Sequence, residues 1–116
     1  MWQGSDAKTD PSDLKKTLGS RISRFSGYGQ QDSGELVDYI LDLIHEDLNR
    51  VTKKPYIEMN EDQNRPEEEI AKEYWDIFLS RNQSIIVDLM YGQLKSTVTC
   101  LTCSKSFLKF DPCLMT

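Results

Sequence analysis

From residue 33 onward, apolar residues recur at spacings of three and four: Leu36, Val37, Ile40, Leu41, Ile44 and Leu48. That period puts them on one stripe of an α-helix and predicts burial along that side. Asp32-Ser33-Gly34-Glu35, just ahead, has the form of a capping box with Asp as the cap. The helix is expected to end near Arg50. Lys53-Lys54-Pro55 then breaks it, because proline cannot continue a helix and biases Lys54 toward extended geometry. A weaker pattern, Leu14, Leu18 and Ile22, predicts an earlier helix from Pro11 to about Phe25, with Asp10 as N-cap and Pro11 at the first helical position. Gly19 counts against it, since glycine costs about 1 kcal/mol relative to alanine inside a helix. Residues 1–9 read as irregular, and Ser26-Gly27-Tyr28-Gly29 as a turn.

Residues 57–65 are acidic and polar and read as a surface loop. A third helix is predicted from Pro66 to near Asn82. Its first turn carries Glu67, Glu68 and Glu69, which suit the positive end of the helix dipole. Ile70, Tyr74, Ile77 and Phe78 share its apolar face. "SIIVDLMYG" fits either a short helix or a strand. From Gln93 the period changes to two: "QLKSTVTC" and "SKSFLKFD" alternate and are rich in β-branched and aromatic residues, which predicts two strands joined at Cys100–Cys103. The fold class is therefore α+β. Three helices and one hairpin do not close a sheet, and a lone hairpin is marginal in water, so the pattern points to part of a larger protein.

The totals narrow the function. Of 116 residues, 38% are hydrophobic and 28% charged, which describes a globular chain rather than a disordered one. The net charge of −5 argues against nucleic acid and is compatible with a basic partner. No apolar run approaches the ~18 residues of a membrane span, and the first residues lack the basic and apolar regions of a secretory signal. The three cysteines, Cys100, Cys103 and Cys113, are a poor disulfide framework and imply a reducing compartment, cytosol or nucleus. On that reading the sequon Asn82-Gln83-Ser84 is accidental.

Candidate chemistry lies in three places. Cys100-Leu101-Thr102-Cys103, between strand-like runs, has the spacing of a zinc knuckle, but two thiolates make only half of a four-ligand site. Incidental buried thiols and a redox pair are the competing readings, the last disfavoured because a redox CxxC opens a helix. His45, the only histidine, sits on the rim of the helix stripe and reads as structural or dipole-compensating rather than as a catalytic partner of Cys113. Gln30, Gln31, Asp32 and Glu35 cluster at a helix start. Capping alone accounts for Asp32 and Glu35. The alternative is a site for an extended, basic peptide, in which amides bond backbone and carboxylates hold arginines.

"FSGYGQQDSGEL", "LIHEDLNR" and "KKPY", followed by "NQSIIVDLMYGQLKSTVTCLTCSKSFLKFDP", resemble the QQD-box region of the ubiquitin-specific proteases and that family's entry into its fingers subdomain. The likeness is strongest to the subgroup with N-terminal DUSP and ubiquitin-like domains, and it covers about Trp2 to Pro112. It implies part of a papain-like thiol protease that cleaves the isopeptide bond after ubiquitin's C-terminal glycine. Residues 1–92 would be a helical thumb segment and 93–116 the start of the β fingers with a zinc knuckle. Gln30, Gln31, Asp32 and Glu35 would bind ubiquitin's tail, and Cys100 and Cys103 would hold structural zinc as half a site. Partners would be ubiquitin and ubiquitinated proteins, with no nucleic acid or membrane. The family's nucleophile box and histidine box have no counterpart here, so the isolated chain is expected to be inactive. A catalytically inactive ubiquitin-binding module of the same fold is the rival. Gly34 departs from the family pattern, which has a larger residue there.

Overall fold

The computed structural model of the chain describes residues 9–115. The order of elements is α1 (Ser12–Arg21), a 3₁₀ turn (Ser23–Phe25), α2 (Ser33–Leu48), α3 (Glu67–Arg81), α4 (Ile85–Met90), β1 (Tyr91–Thr99) and β2 (Ser106–Leu114). The fold is α+β. It forms two compact units that divide between Ile40 and Leu41. The stretch read as irregular at the N-terminus lies, apart from Thr9, outside the described residues.

In the first unit, α1 ends four residues earlier than its apolar spacing predicts. Ile22 is extended (φ −127°, ψ 104°), and the chain turns back as a 3₁₀ turn. Gly19 explains the reversal. A Cβ there would stand 2.9 Å from Ser26 Cα and 3.2 Å from the Phe25 carbonyl oxygen, so the return crosses α1 at the residue without a side chain. Leu18 and Phe25 are buried, and the Phe25 ring meets Tyr39 of α2 edge-on at 5.6 Å. Asp10 is not the N-cap that its type suggests: the helix opens one residue later, and Pro11 holds the cap without a side-chain bond. From just ahead of the cap, Asp10 Oδ1 accepts from the Ser12 N–H at 2.9 Å and from the Ser12 hydroxyl, and those bonds hold its carboxyl below the usual range. Pro11 stands one position ahead of the predicted place, at the cap rather than the first helical residue.

The second unit is built on Ile70, Val87 and Phe110, all buried. "SIIVDLMYG" resolves into both of its readings in turn. Ser84 caps α4 by accepting the Val87 N–H, and the chain becomes β1 at Tyr91. The strands pair antiparallel from Tyr91↔Leu114 to Thr99↔Ser106. Tyr74 of α3 meets Phe110 edge-on at 6.0 Å, and Phe78 stacks on Tyr91 at 5.3 Å. Gln93 donates to the Ala71 carbonyl at 2.9 Å, and Lys95 pairs with Glu67 at 2.7 Å, fixing β1 along α3. The acidic loop is pinned as well. Arg65 bonds Glu73 and the carbonyls of Asn60 and Asp62, and this guanidinium, with the Asn60 N–H, lowers the Glu73 carboxyl below its usual range.

The apolar stripe of α2 is not the buried face that its period predicts. Val37, Ile44 and Leu48 are exposed, and the buried residue of this helix is His45. Leu36, Ile40 and Leu41 of the same stripe are half-buried, and the position that is fully buried is a polar histidine with dedicated partners, described below.

Candidate functional site

The head of α2 begins with Asp32. Its carbonyl accepts the Leu36 N–H at 3.1 Å, which makes it the N-cap. Its side-chain Oδ1 accepts from the Gly34 N–H at 2.7 Å and the Glu35 N–H at 3.2 Å. Gly34 belongs to this arrangement, because a Cβ there would lie 3.2 Å from Asp32 Oδ1. The departure at Gly34 thus opens room for a close cap. One oxygen does all the capping, and Oδ2 takes no bond from the described residues.

Only half of the expected capping box forms. The Glu35 side chain does not return to the Asp32 N–H. It pairs with Arg24 of the 3₁₀ turn, NH1 to Oε1. Gln30 and Gln31 are exposed, and neither amide bonds a described group. Gln31 lines an apolar groove with Leu14, Leu18, Phe25 and Leu36. Beside it Tyr28 is 99% exposed, with the Lys15 ammonium 4.8 Å from its ring centroid. The predicted residues therefore share one surface: unengaged amides, one free carboxylate oxygen, and a second carboxylate that already holds an arginine. Chemically, open amides can bond a backbone on either side and carboxylates can accept guanidinium or ammonium donors. Nothing in the local sequence marks Arg24 as Glu35's partner, since the pair depends on the turn that Gly19 permits.

Cys100 and Cys103 are exposed at the tip of the hairpin. The turn is closed by the Ser104 N–H on the Cys100 carbonyl and by the Cys100 N–H on the Lys105 carbonyl, both 2.9 Å, with Ser104 in the left-handed region (φ 58°). The N–H groups of Cys103 and Thr102 and the Cys103 thiol point at the Cys100 sulfur and bring its pKa down to about 7. A readily ionised thiol and its neighbour in a tight turn fit two corners of a tetrahedral zinc site. Among the described residues no group of three His, Cys, Asp or Glu is placed to hold a metal.

His45 is not on a rim but 2% exposed. Its Nδ1 lies 2.7 Å from Ser84 Oγ and its Nε2 3.1 Å from Asn82 Oδ1. Asn82 Nδ2 donates to the Phe78 carbonyl at 3.2 Å, so Oδ1 is the acceptor that faces Nε2. Ser84 Oγ accepts the Val87 N–H and donates to Nδ1. A neutral ring with its proton on Nε2 satisfies every one of these groups. Both nitrogens are thus used structurally, while the Cys113 thiol faces the Met115 sulfur at 3.4 Å, so the two make no catalytic pair. Both side chains of the Asn82 sequon are engaged here too. A serine just before an apolar run is a cap signal that would have placed Ser84; its bond to a residue 39 positions earlier has no local signal.

The family model for ubiquitin carboxyl-terminal hydrolases matches residues 1–113. Over 112 residues, 97% of this chain, the sequence is 47% identical to ubiquitin carboxyl-terminal hydrolase 32 of Mus musculus, covering 7% of that protein. Over its whole length it is 48% identical to ubiquitin carboxyl-terminal hydrolase 4 of Bos taurus and 45% identical to ubiquitin carboxyl-terminal hydrolase 15 of Xenopus tropicalis, covering 12% of each. The chain therefore spans about a tenth of the length of these curated relatives.

Proposed function

This chain belongs to the ubiquitin carboxyl-terminal hydrolase family, and from that premise we propose that it is the tail-binding segment of a ubiquitin-specific thiol protease. In that protein a thiolate supplied outside this chain attacks the carbonyl of ubiquitin's C-terminal glycine, the isopeptide C–N bond breaks and the amine leaves protonated, and water then hydrolyses the thioester to the free carboxylate and returns the thiol. The residues here position the tail rather than break the bond. Asp32, with Oδ1 committed to the helix, offers Oδ2 to an arginine of the tail. Glu35 offers its carboxylate one turn on, and Gln30 and Gln31 bond the extended backbone. The observation that carries this reading is the division of labour at Asp32, where one oxygen caps and the other is left open at the positive end of a helix.

The cysteine turn serves the same protein as two of the four ligands of a structural zinc in the fingers, with the other pair outside this chain. The metal, when bound, supplies a cross-link that holds the fingers together. Residues up to about 92 form the thumb segment and those after it the start of the fingers. Ubiquitin and ubiquitin conjugates are the partners, and the cytosol or nucleus is the setting, where thiols stay reduced.

Asp32→Asn tests the reading in a chain long enough to hydrolyse ubiquitin-amide substrates. Asparagine keeps the cap and removes the charge. A charge-assisted bond of about 1.5–3 kcal/mol is then lost, so kcat/KM falls roughly ten- to a hundredfold while the melting temperature holds. Unchanged kcat/KM at unchanged stability would reduce Asp32 to a cap.

A further inference from the structure

We infer that Arg24 is a built-in occupant of Glu35, a stand-in cation that an arginine of the bound tail must displace, and that it sets the affinity of the site downward. This rests on the reading proposed above. Two features hold Arg24 in place. Its neighbour Phe25 is buried and packs on Tyr39, one helical turn beyond Glu35, so the 3₁₀ turn meets α2 at two successive turns of one face. On its other side the turn lies against α1 at Gly19, too close to admit a Cβ. Arg24 is therefore presented by a fixed backbone rather than reached by chance from a mobile loop.

The pair neutralises the Glu35 carboxylate within the chain, NH1 approaching Oε1, so an incoming cation meets a carboxylate that already has a partner. Both side chains remain open to solvent, 48% for Arg24 and 38% for Glu35, so a displaced Arg24 returns to water at little cost. An incoming cation must displace Arg24 from Glu35, and a guanidinium, whose planar fork matches a carboxylate, gains more from that exchange than a lysine's point charge. The resting pair thus lowers the affinity of the site for every incoming cation.

The test measures binding of ubiquitin, and of ubiquitin trimmed of its C-terminal tail, to the full chain and to Arg24→Gln, Glu35→Gln and the double variant, with melting temperature followed throughout. Removing Arg24 is expected to tighten binding of intact ubiquitin about two- to fivefold, the scale of an exposed ion pair. Glu35→Gln should weaken binding, and the double variant should match Glu35→Gln alone. Arg24→Gln that binds no tighter than the unaltered chain, while Glu35→Gln still weakens binding, would overturn the inference and leave the tail-binding reading standing. Glu35→Gln at unaltered affinity would overturn that reading and the inference with it.

Discussion

Replacing Ser84 by alanine should be among the most damaging single-atom deletions in the chain, although Ser84 takes no part in the proposed binding surface. Its hydroxyl has two duties: it donates to His45 Nδ1 at 2.7 Å and accepts the Val87 N–H at 3.3 Å. The site is fully buried, so no water replaces it. Leaving the histidine nitrogen unpaired costs about 1–3 kcal/mol, and losing the α4 cap costs about 1 kcal/mol more. The sum, roughly 2–4 kcal/mol, is a large part of the stability of a small domain. Urea unfolding of the two chains measures it as a lower midpoint at an unchanged slope. A double-mutant cycle with His45→Leu separates the two duties. Once the imidazole is gone, Ser84→Ala should cost only the cap, so the cycle should show a coupling of at least about 1 kcal/mol. Additivity within about 0.5 kcal/mol would refute the network, and with it the assignment of the proton to Nε2.

Gly19→Ala should destabilise by about 1–3 kcal/mol, because the added methyl meets backbone at 2.9 Å; a gain of about 1 kcal/mol, the ordinary helix preference, would contradict the crossing at that residue. With its pKa brought down to about 7, Cys100 is half ionised near neutrality. Its alkylation by iodoacetamide in chelator should therefore rise with pH to a plateau with a midpoint near 7, which mass mapping of labelled peptides would follow; a midpoint at an ordinary thiol's ~8.5 would mean that the N–H groups of the turn do not reach its sulfur. Ser104→Gly should stabilise the hairpin tip by up to about 1 kcal/mol, since a left-handed residue costs a side chain more than it costs glycine; a lower melting temperature would contradict that geometry.

The elements legible in the sequence were those with a strong period or a local punctuation mark. The two β-branched runs gave the hairpin, and Pro66 with three glutamates gave the start of α3. Asp32 was legible as a cap because capping is a contact between near neighbours. The end of α1 was not, because its apolar spacing continues to Ile22 while the chain leaves the helix to cross Gly19. The same glycine that argued against a helix was the mark of that crossing. The stripe of α2 read as buried because periodicity reports which residues share a face, not what covers the face. His45 was misplaced for a related reason: its partners Asn82 and Ser84 lie 37 and 39 residues away. At the candidate site the residue types at the helix start were legible, but Arg24 was not, since it reaches Glu35 only through a turn that no local signal announced.

The central claim, that the head of α2 receives ubiquitin's C-terminal tail, is tested most directly by adding ubiquitin to the isotope-labelled chain and following its backbone amide resonances. The account predicts shifts concentrated in Gln30–Glu35 and at Arg24, which disappear when ubiquitin lacks its tail and shrink in Asp32→Asn. Shifts that avoid residues 24–35, or that persist unchanged with tailless ubiquitin, would contradict it.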